Sequence, residues 1–235
     1  MNTPGLFITG TDTDVGKTFV TALIARELTA AGVKTGVYKP ACSGAVFDAD
    51  GQPHWEDIEQ LSQATGGRFA DDLICPQRFQ AALAPPVAAT REGRFVDEEL
   101  LRSGANKWDG QVDLLLVEGV GGLLCPMTEK ETIADLACDL AFPLLIVSRL
   151  GLGTINHTLL TVEVALSRGL IVAGIICNEV PSPEDDAALD SDREEIASRC
   201  RVPILATVKH GQNEPLQALP AGGLIDWQSL AQERG

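Results

Sequence analysis

Near the amino terminus, Thr13, Asp14, Val15, Gly16, Lys17 and Thr18 follow Gly10 in an order suited to holding phosphate. Glycines let backbone N–H groups turn inward around phosphate oxygens, a helix start adds the positive end of its dipole, and the Lys17 ammonium supplies a point charge. The Thr18 hydroxyl can serve a magnesium ion that bridges phosphates. The common loop of this kind has four residues between its two glycines, whereas five separate Gly10 from Gly16, so this loop is a variant. An ordinary strand–turn–helix with an incidental Gly-Lys-Thr would not need a glycine at each end. Binding of a nucleoside triphosphate is the reading the stretch supports best.

Such a loop works only between a strand and a helix. Apolar residues 6–8 make the strand, and Val20, Leu23, Ile24 and Leu28 recur at helical spacing after the loop. A second strand at 35–38 delivers Lys39, and Pro40 cannot continue a sheet ladder. Lys39 therefore stands at the carboxyl edge of the sheet, where open α/β folds build ligand crevices, and is expected to serve the triphosphate site. The run that follows Asp113, apolar over 114–117, lacks alternation, which suits a parallel strand covered on both faces. It is expected to end at Glu118, ahead of a glycine turn, where that acid can orient magnesium directly or through water. A helix opening at Glu56 carries Glu56, Asp57 and Glu59 in its first turn. Acids there complement the helix dipole, and the pattern does not select which of them meets a metal.

Elsewhere the sequence predicts a strand at 73–75, then an ordered proline-rich loop to 89, and a helix at 97–107. Strands at 144–147, 171–177 and 204–208 alternate with helices at 155–168 and up to about residue 200, and a short helix follows 226. An acidic, mobile surface loop is expected at 181–192. The glycines of loop 149–154 make either a tight turn or a second anion site suited to a carboxylate. The rhythm predicts an α/β fold, a mostly parallel central sheet flanked by helices, in one domain over 1–235.

Thirty-three acidic against 18 basic residues leave a net charge of −15, which repels polyanions, so neither nucleic acid nor an anionic membrane is expected as a partner. Six cysteines without a C-x-x-C pair and three histidines without ligand spacing predict a reduced intracellular protein with no zinc site and no histidine mechanism. The sequence lacks a basic region followed by a long apolar stretch, and no apolar run reaches the roughly 18 residues of a membrane span. A soluble, cytoplasmic protein is expected.

Four separated stretches combine into a family pattern: Gly10-Thr-Asp-Thr-Asp-Val-Gly-Lys-Thr18, Tyr38-Lys-Pro-Ala-Cys-Ser-Gly44, Val117-Glu-Gly-Val-Gly-Gly122 and Gly151-Leu-Gly-Thr-Ile-Asn-His157. Together they closely resemble the dethiobiotin synthetases, from about residue 5 to residue 210. The resemblance implies a P-loop NTPase type of fold and an enzyme that converts diaminopelargonate, carbon dioxide and ATP into dethiobiotin, ADP and phosphate. It implies a carbamate that attacks the γ-phosphate, a carbamic–phosphoric anhydride, and ring closure by the second amine, with no enzyme nucleophile. By the same resemblance Lys17 and Lys39 are the catalytic cations, and Thr18, Asp57 and Glu118 are the magnesium-associated residues. Ser43 is the substrate-contacting serine, Gly119 and Gly121 line the phosphate side, and Asn178, with Glu179 beside it, belongs to the purine end. Gly153, Thr154, Ile155 and Asn156 resemble the helix start that receives the substrate carboxylate from a neighbouring subunit, implying a homodimer. The chain departs from the family at Thr207-Val208-Lys209-His210, where members often carry an Ile-Pro-type pair, and from Asn213 onward it carries no family motif.

The alternative is a dimeric nucleotide switch of the partitioning-ATPase type that binds protein partners. Those proteins usually place an additional lysine early in the phosphate loop, and positions 10 to 15 contain none. An amidoligase or phosphotransacetylase accessory role would require appended domains for which the chain is too short.

Overall fold

The structure is a computed structural model that describes residues 2–180 and 186–232. In chain order, β1 (Gly5–Gly10) leads through the phosphate loop into α1 (Lys17–Ala30), and β2 (Thr35–Tyr38) follows. Short elements come next: β3 (Cys42–Ser43), β4 (Val46–Phe47), β5 (Pro53–His54), α2 (Glu56–Ala64), α3 (Asp71–Ile74), β6 (Arg78–Phe79), α4 (Pro85–Arg91) and α5 (Glu98–Asn106). The remainder is β7 (Leu114–Gly122), α6 (Ile133–Leu140), β8 (Leu144–Arg149), α7 (Thr154–Ser167), β9 (Val172–Asn178), α8 (Asp186–Arg199), β10 (Ile204–Val208) and α9 (Trp227–Leu230).

Six strands form one parallel sheet in the order β10-β9-β8-β1-β7-β2. β1 is central and buried throughout, and residues 114–117 of β7 are buried on both faces, as a parallel strand under helices on both sides requires. The register positions the site. Ile8 lies opposite Glu118 and Tyr38 opposite Val117, so the residue after Tyr38, Lys39, emerges level with Glu118 beside the end of β1. No helix among the described residues is long and apolar enough to cross a membrane.

Several sequence expectations change. β7 continues four residues beyond Glu118, so that acid is not strand-terminal; the glycines after it let Gly122 pair with Gly10 at the root of the phosphate loop, with a register shift between Ile8 and Gly10. Residues 71–74 are one helical turn, not a strand. Ile74 N–H bonds to Ala70 and Cys75 N–H to Asp71, while the Ile74 carbonyl accepts the Lys39 N–H at 2.8 Å. The proline-rich loop contains α4, because Pro85 and Pro86 occupy its first turn, where proline loses no helical hydrogen bond. Residues 46–47 and 53–54 pair as an antiparallel hairpin. Residues 186–192, expected in the loop, belong to α8; 181–185 lie outside the described residues.

One glycine in this frame is required by packing rather than by backbone angle. The Tyr38 hydroxyl donates towards the carbonyls of Leu100 and Leu101, 3.0 Å from each, and a Cβ on Gly104 of α5 would meet that hydroxyl at 2.2 Å. Helix propensity alone favours Gly→Ala by about 1 kcal/mol. The close approach reverses the sign, and Gly104→Ala is expected to lower stability by about 1–3 kcal/mol in urea unfolding while leaving nucleotide affinity unchanged.

Candidate active site

The carboxyl ends of β1, β7 and β2, side by side, deliver the phosphate loop, Glu118 and Lys39 to one rim. Gly16 opens α1 at φ +92°, and the Asn178 amide, from the end of β9, donates to the Val15 carbonyl at 2.9 Å, pinning the loop from below. Val15 itself is buried in the core. Asp14 adopts φ +57°, a conformation that aspartate tolerates better than most residues, so the turn inward is held by sequence at two positions.

Lys17 and Lys39, the two cations chosen from sequence, line the same cleft of about 390 Å³, together with Thr13, Ser43, Asp57 and Gly121. The Lys17 ammonium donates to the Asp12 carbonyl at 2.9 Å, folding back over the loop. Lys39, 4% exposed, donates to Glu118 Oε1 at 2.7 Å and is ion-paired to Asp57 Oδ2. Thr18 Oγ1 donates to the same Glu118 oxygen at 2.7 Å. Of the three acids at the start of α2, Asp57 alone reaches this cluster; Glu59 pairs with His54 at 2.8 Å. Cys42, not foreseen from sequence, also lines the cleft, its thiol 3.9 Å from Asp57 Oδ2 and pushed by burial up to about 11.

The donor set bears on magnesium. Thr18, Asp57 and Glu118 offer only oxygen atoms, which suits a hard cation. Glu118 Oε2 is buried without a hydrogen-bond partner among the described residues, an acceptor whose desolvation they leave uncompensated. Among the described residues no three His, Cys, Asp or Glu side chains cluster as metal ligands. Two acids and a hydroxyl fit an ion that completes its shell with phosphate and water.

The remaining sequence candidates lie outside the cleft. The Glu179 N–H donates to the Val208 carbonyl at 2.8 Å, which places it at the β9–β10 end of the rim. Gly153, Thr154, Ile155 and Asn156 are at the start of α7 and do not line the cleft of the two lysines; Thr154 is buried, its hydroxyl 2.9 Å from Ser148 Oγ, which is in turn 2.5 Å from Thr158 Oγ1. This start of α7 is held by a buried hydroxyl cluster, and the Gly151 N–H donates to Asp192 of α8 at 3.0 Å.

A family model described as an AAA domain matches residues 4–213. ATP-dependent dethiobiotin synthetase BioD of Anaeromyxobacter dehalogenans is 47% identical over 193 residues, covering 82% of this chain and 84% of that one. The chain belongs to the dethiobiotin synthetase family. The synthetase of the same name from Rhodopirellula baltica is 39% identical over 213 residues, 86% of this chain and 83% of that one. The fold extends further: the MinC:MinD cell division protein complex of Aquifex aeolicus superposes with a TM-score of 0.53 at 18% identity, covering 90% of this chain and 82% of that chain.

For this family member the two lysines differ electrostatically. Burial alone lowers the Lys39 pKa, but the Glu118 and Asp57 carboxylates more than reverse it, and the ammonium stands above the ordinary lysine value. For Lys17 burial wins: its pKa is lowered, with Glu118 opposing and the Lys39 charge reinforcing the shift. Asp57 feels burial in the raising direction, yet the Lys39 charge and its hydrogen bond hold its carboxyl below the usual value. Phosphate binding needs the protonated lysine, so nucleotide affinity is expected to weaken on the alkaline side from a pH below the ordinary lysine pKa of about 10.4. Titration of a non-hydrolysable nucleotide between neutral and alkaline pH measures this. Lys17→Arg, which stays charged, is expected to remove the alkaline decline.

Proposed function

We propose that this protein is an ATP-dependent dethiobiotin synthetase, a single-domain ligase that closes the ureido ring of dethiobiotin from diaminopelargonate and carbon dioxide. The observation that carries the reading is the meeting of Lys17 and Lys39 in one cleft with Ser43. Within it, one amine of the diamine adds to the carbon of carbon dioxide and loses a proton, giving a carbamate. A carbamate oxygen attacks the γ-phosphorus as the bond to the ADP oxygen breaks, giving a carbamic–phosphoric anhydride. The second amine then attacks the carbonyl carbon, the C–O bond to phosphate breaks, and the cyclic urea forms.

No enzyme nucleophile takes part. The protein's work is orientation and charge stabilisation, which suits an active site of ammonium groups and loop amides. Lys17 meets the terminal phosphates, Lys39 faces the oxygens that gain charge between carbamate and γ-phosphate, and Ser43 orients the diamine. Gly121, with Thr13 and Asp14, lines the phosphate cleft, and Gly119 before it lies against Ile133 and Phe7, its backbone continuing β7 towards that cleft. Thr18, Asp57 and Glu118 would hold magnesium, which when bound offsets phosphate charge. Asn178 and Glu179 lie at the purine end.

The start of α7, from Gly153 to Asn156, would receive the substrate carboxylate within a homodimer. Exposed Leu124, Leu160 and Leu166 support an apolar contact there, Leu124 and Leu160 lining a common crevice beside Thr11 and Asp12. A cytoplasmic location accords with six unpaired cysteines. The reading is tested by phosphate release with magnesium, ATP and bicarbonate in the presence and absence of diaminopelargonate. Diamine-dependent release with dethiobiotin as product is expected; release indifferent to the diamine would point instead to a nucleotide switch.

A further inference from the structure

A second cleft of about 540 Å³ adjoins the first and shares Thr13, Ser43 and Asp57 with it, but its far wall is apolar. Trp55, Leu83, Ala82 and Ala84 supply the apolar part of that wall, with Glu56 beside the tryptophan and Val120 near the junction. A substrate whose reacting amines lie against Lys39 can extend its hydrocarbon chain from the first cleft, past Val120, which lines both, onto Trp55. The indole is held in place. Its Nε1–H donates to the Phe79 carbonyl at 3.0 Å, and the Arg78 guanidinium lies 5.6 Å from the ring centroid. Phe79 pairs with Ser43 across β3 and β6, and Trp55 immediately precedes α2, two residues before Asp57. The ring is thus tied to the strand that carries the substrate serine and to the helix that carries the cluster carboxylate.

We propose that Trp55 is a specificity-determining residue that packs against the aliphatic chain of the diamine substrate and thereby sets the chain length the enzyme accepts. This rests on the synthetase reading above. A rigid aromatic wall offers a large apolar surface without losing side-chain freedom on binding. Its contact with a chain remote from the reacting atoms is equal in ground and transition states, so its loss appears in KM and not in kcat. Aspartate and serine at the polar end cannot measure hydrocarbon length; the tryptophan, between them and the α7 start that would take the carboxylate, contacts the chain itself.

The test uses wild type, Trp55→Phe and Trp55→Ala with the diamine and with homologues shortened by two methylenes. Trp55→Ala is expected to raise KM for the full-length diamine by roughly tenfold, leaving kcat within about twofold and nucleotide affinity unchanged. Its preference for the full-length over the shortened diamine should collapse, and Trp55→Phe should restore most of it. A direct signal is also available: Trp108 and Trp227 are 0% and 2% exposed, so diamine-induced change in tryptophan fluorescence should be present in wild type and lost in Trp55→Phe. Wild-type turnover combined with an unchanged KM in Trp55→Ala, or with a fluorescence change that survives in Trp55→Phe, would overturn the assignment of Trp55 alone. Absence of diamine-dependent turnover in wild type would instead remove the synthetase reading on which it rests.

Discussion

Lys39→Ala is expected to lower kcat by about a thousandfold while weakening nucleotide binding only severalfold. In the proposed reaction Lys39 faces the place where carbamate oxygen and γ-phosphate exchange charge, and an interaction realised mainly in the transition state is lost from kcat. Lys17 and the loop amides remain to hold the nucleotide. A stability loss accompanies the kinetic one: Glu118, with a side chain 1% exposed, would keep a buried charge without its ammonium partner, and breaking such a pair costs about 3–5 kcal/mol. Asp57 contributes less, since its side chain is 43% exposed and solvent screens it.

The pH dependence has a definite sign. The raised Lys39 pKa contributes stability fully present below the unfolded lysine value of about 10.4 and lost as pH rises through the higher folded value. The lowered Asp57 pKa contributes stability present above about 4 and lost as pH falls through the folded value. The difference in melting between wild type and Lys39→Ala should therefore be flat across neutral pH and narrow in acid. Turnover measured on folded variant, verified by circular dichroism, separates the two losses. Undiminished kcat would make the lysine a structural counter-ion only.

Gly16→Ala is expected to weaken nucleotide binding by at least about a hundredfold, roughly 3 kcal/mol, at a smaller cost in stability. Gly16 sits at φ +92°, where an L side chain is strained, and its Cβ would lie 2.1 Å from Asn178 Nδ2. Asn178 is itself fixed to the Val15 carbonyl, so relief requires moving either the loop or the end of β9. Either motion turns loop N–H groups away from phosphate. Adding Asn178→Ala removes the clash but not the strain, so Gly16→Ala should cost less affinity in an Asn178→Ala background than in wild type, a favourable coupling measured by a double-mutant cycle that includes the loss Asn178→Ala causes alone. Affinity equal to wild type in Gly16→Ala would show that the bound loop does not need this geometry.

The phosphate loop was legible because it is local: strand, glycines, lysine and helix lie within 30 residues of one another. Asp57 was not legible from pattern alone. Its neighbours Glu56 and Glu59 are equally acidic, and what distinguishes it is Lys39 across the cleft, placed there by strand order. The level meeting of Lys39 with Glu118 depends in the same way on β2 joining the sheet through β7, a non-local pairing. α6, absent from the expected elements, has its start written in the sequence: Thr132 and Asp135 form a reciprocal capping box. At 71–75 a short apolar run between two acids and Pro76 carries no period, and one turn of helix suits the backbone better than a ladder. Trp55 gave no signal, because only folding brings it to the cleft wall.

The central claim is that one cleft holds a carbamate oxygen in line with the γ-phosphate, and isotope transfer tests it most directly. With freshly dissolved ¹⁸O-labelled bicarbonate, ATP, magnesium and the diamine, rapid-quench mass spectrometry of the phosphate should show one labelled oxygen delivered from the carbamate for each ring closed. Phosphate that carries no label from bicarbonate, with oxygen drawn from solvent water instead, would contradict it.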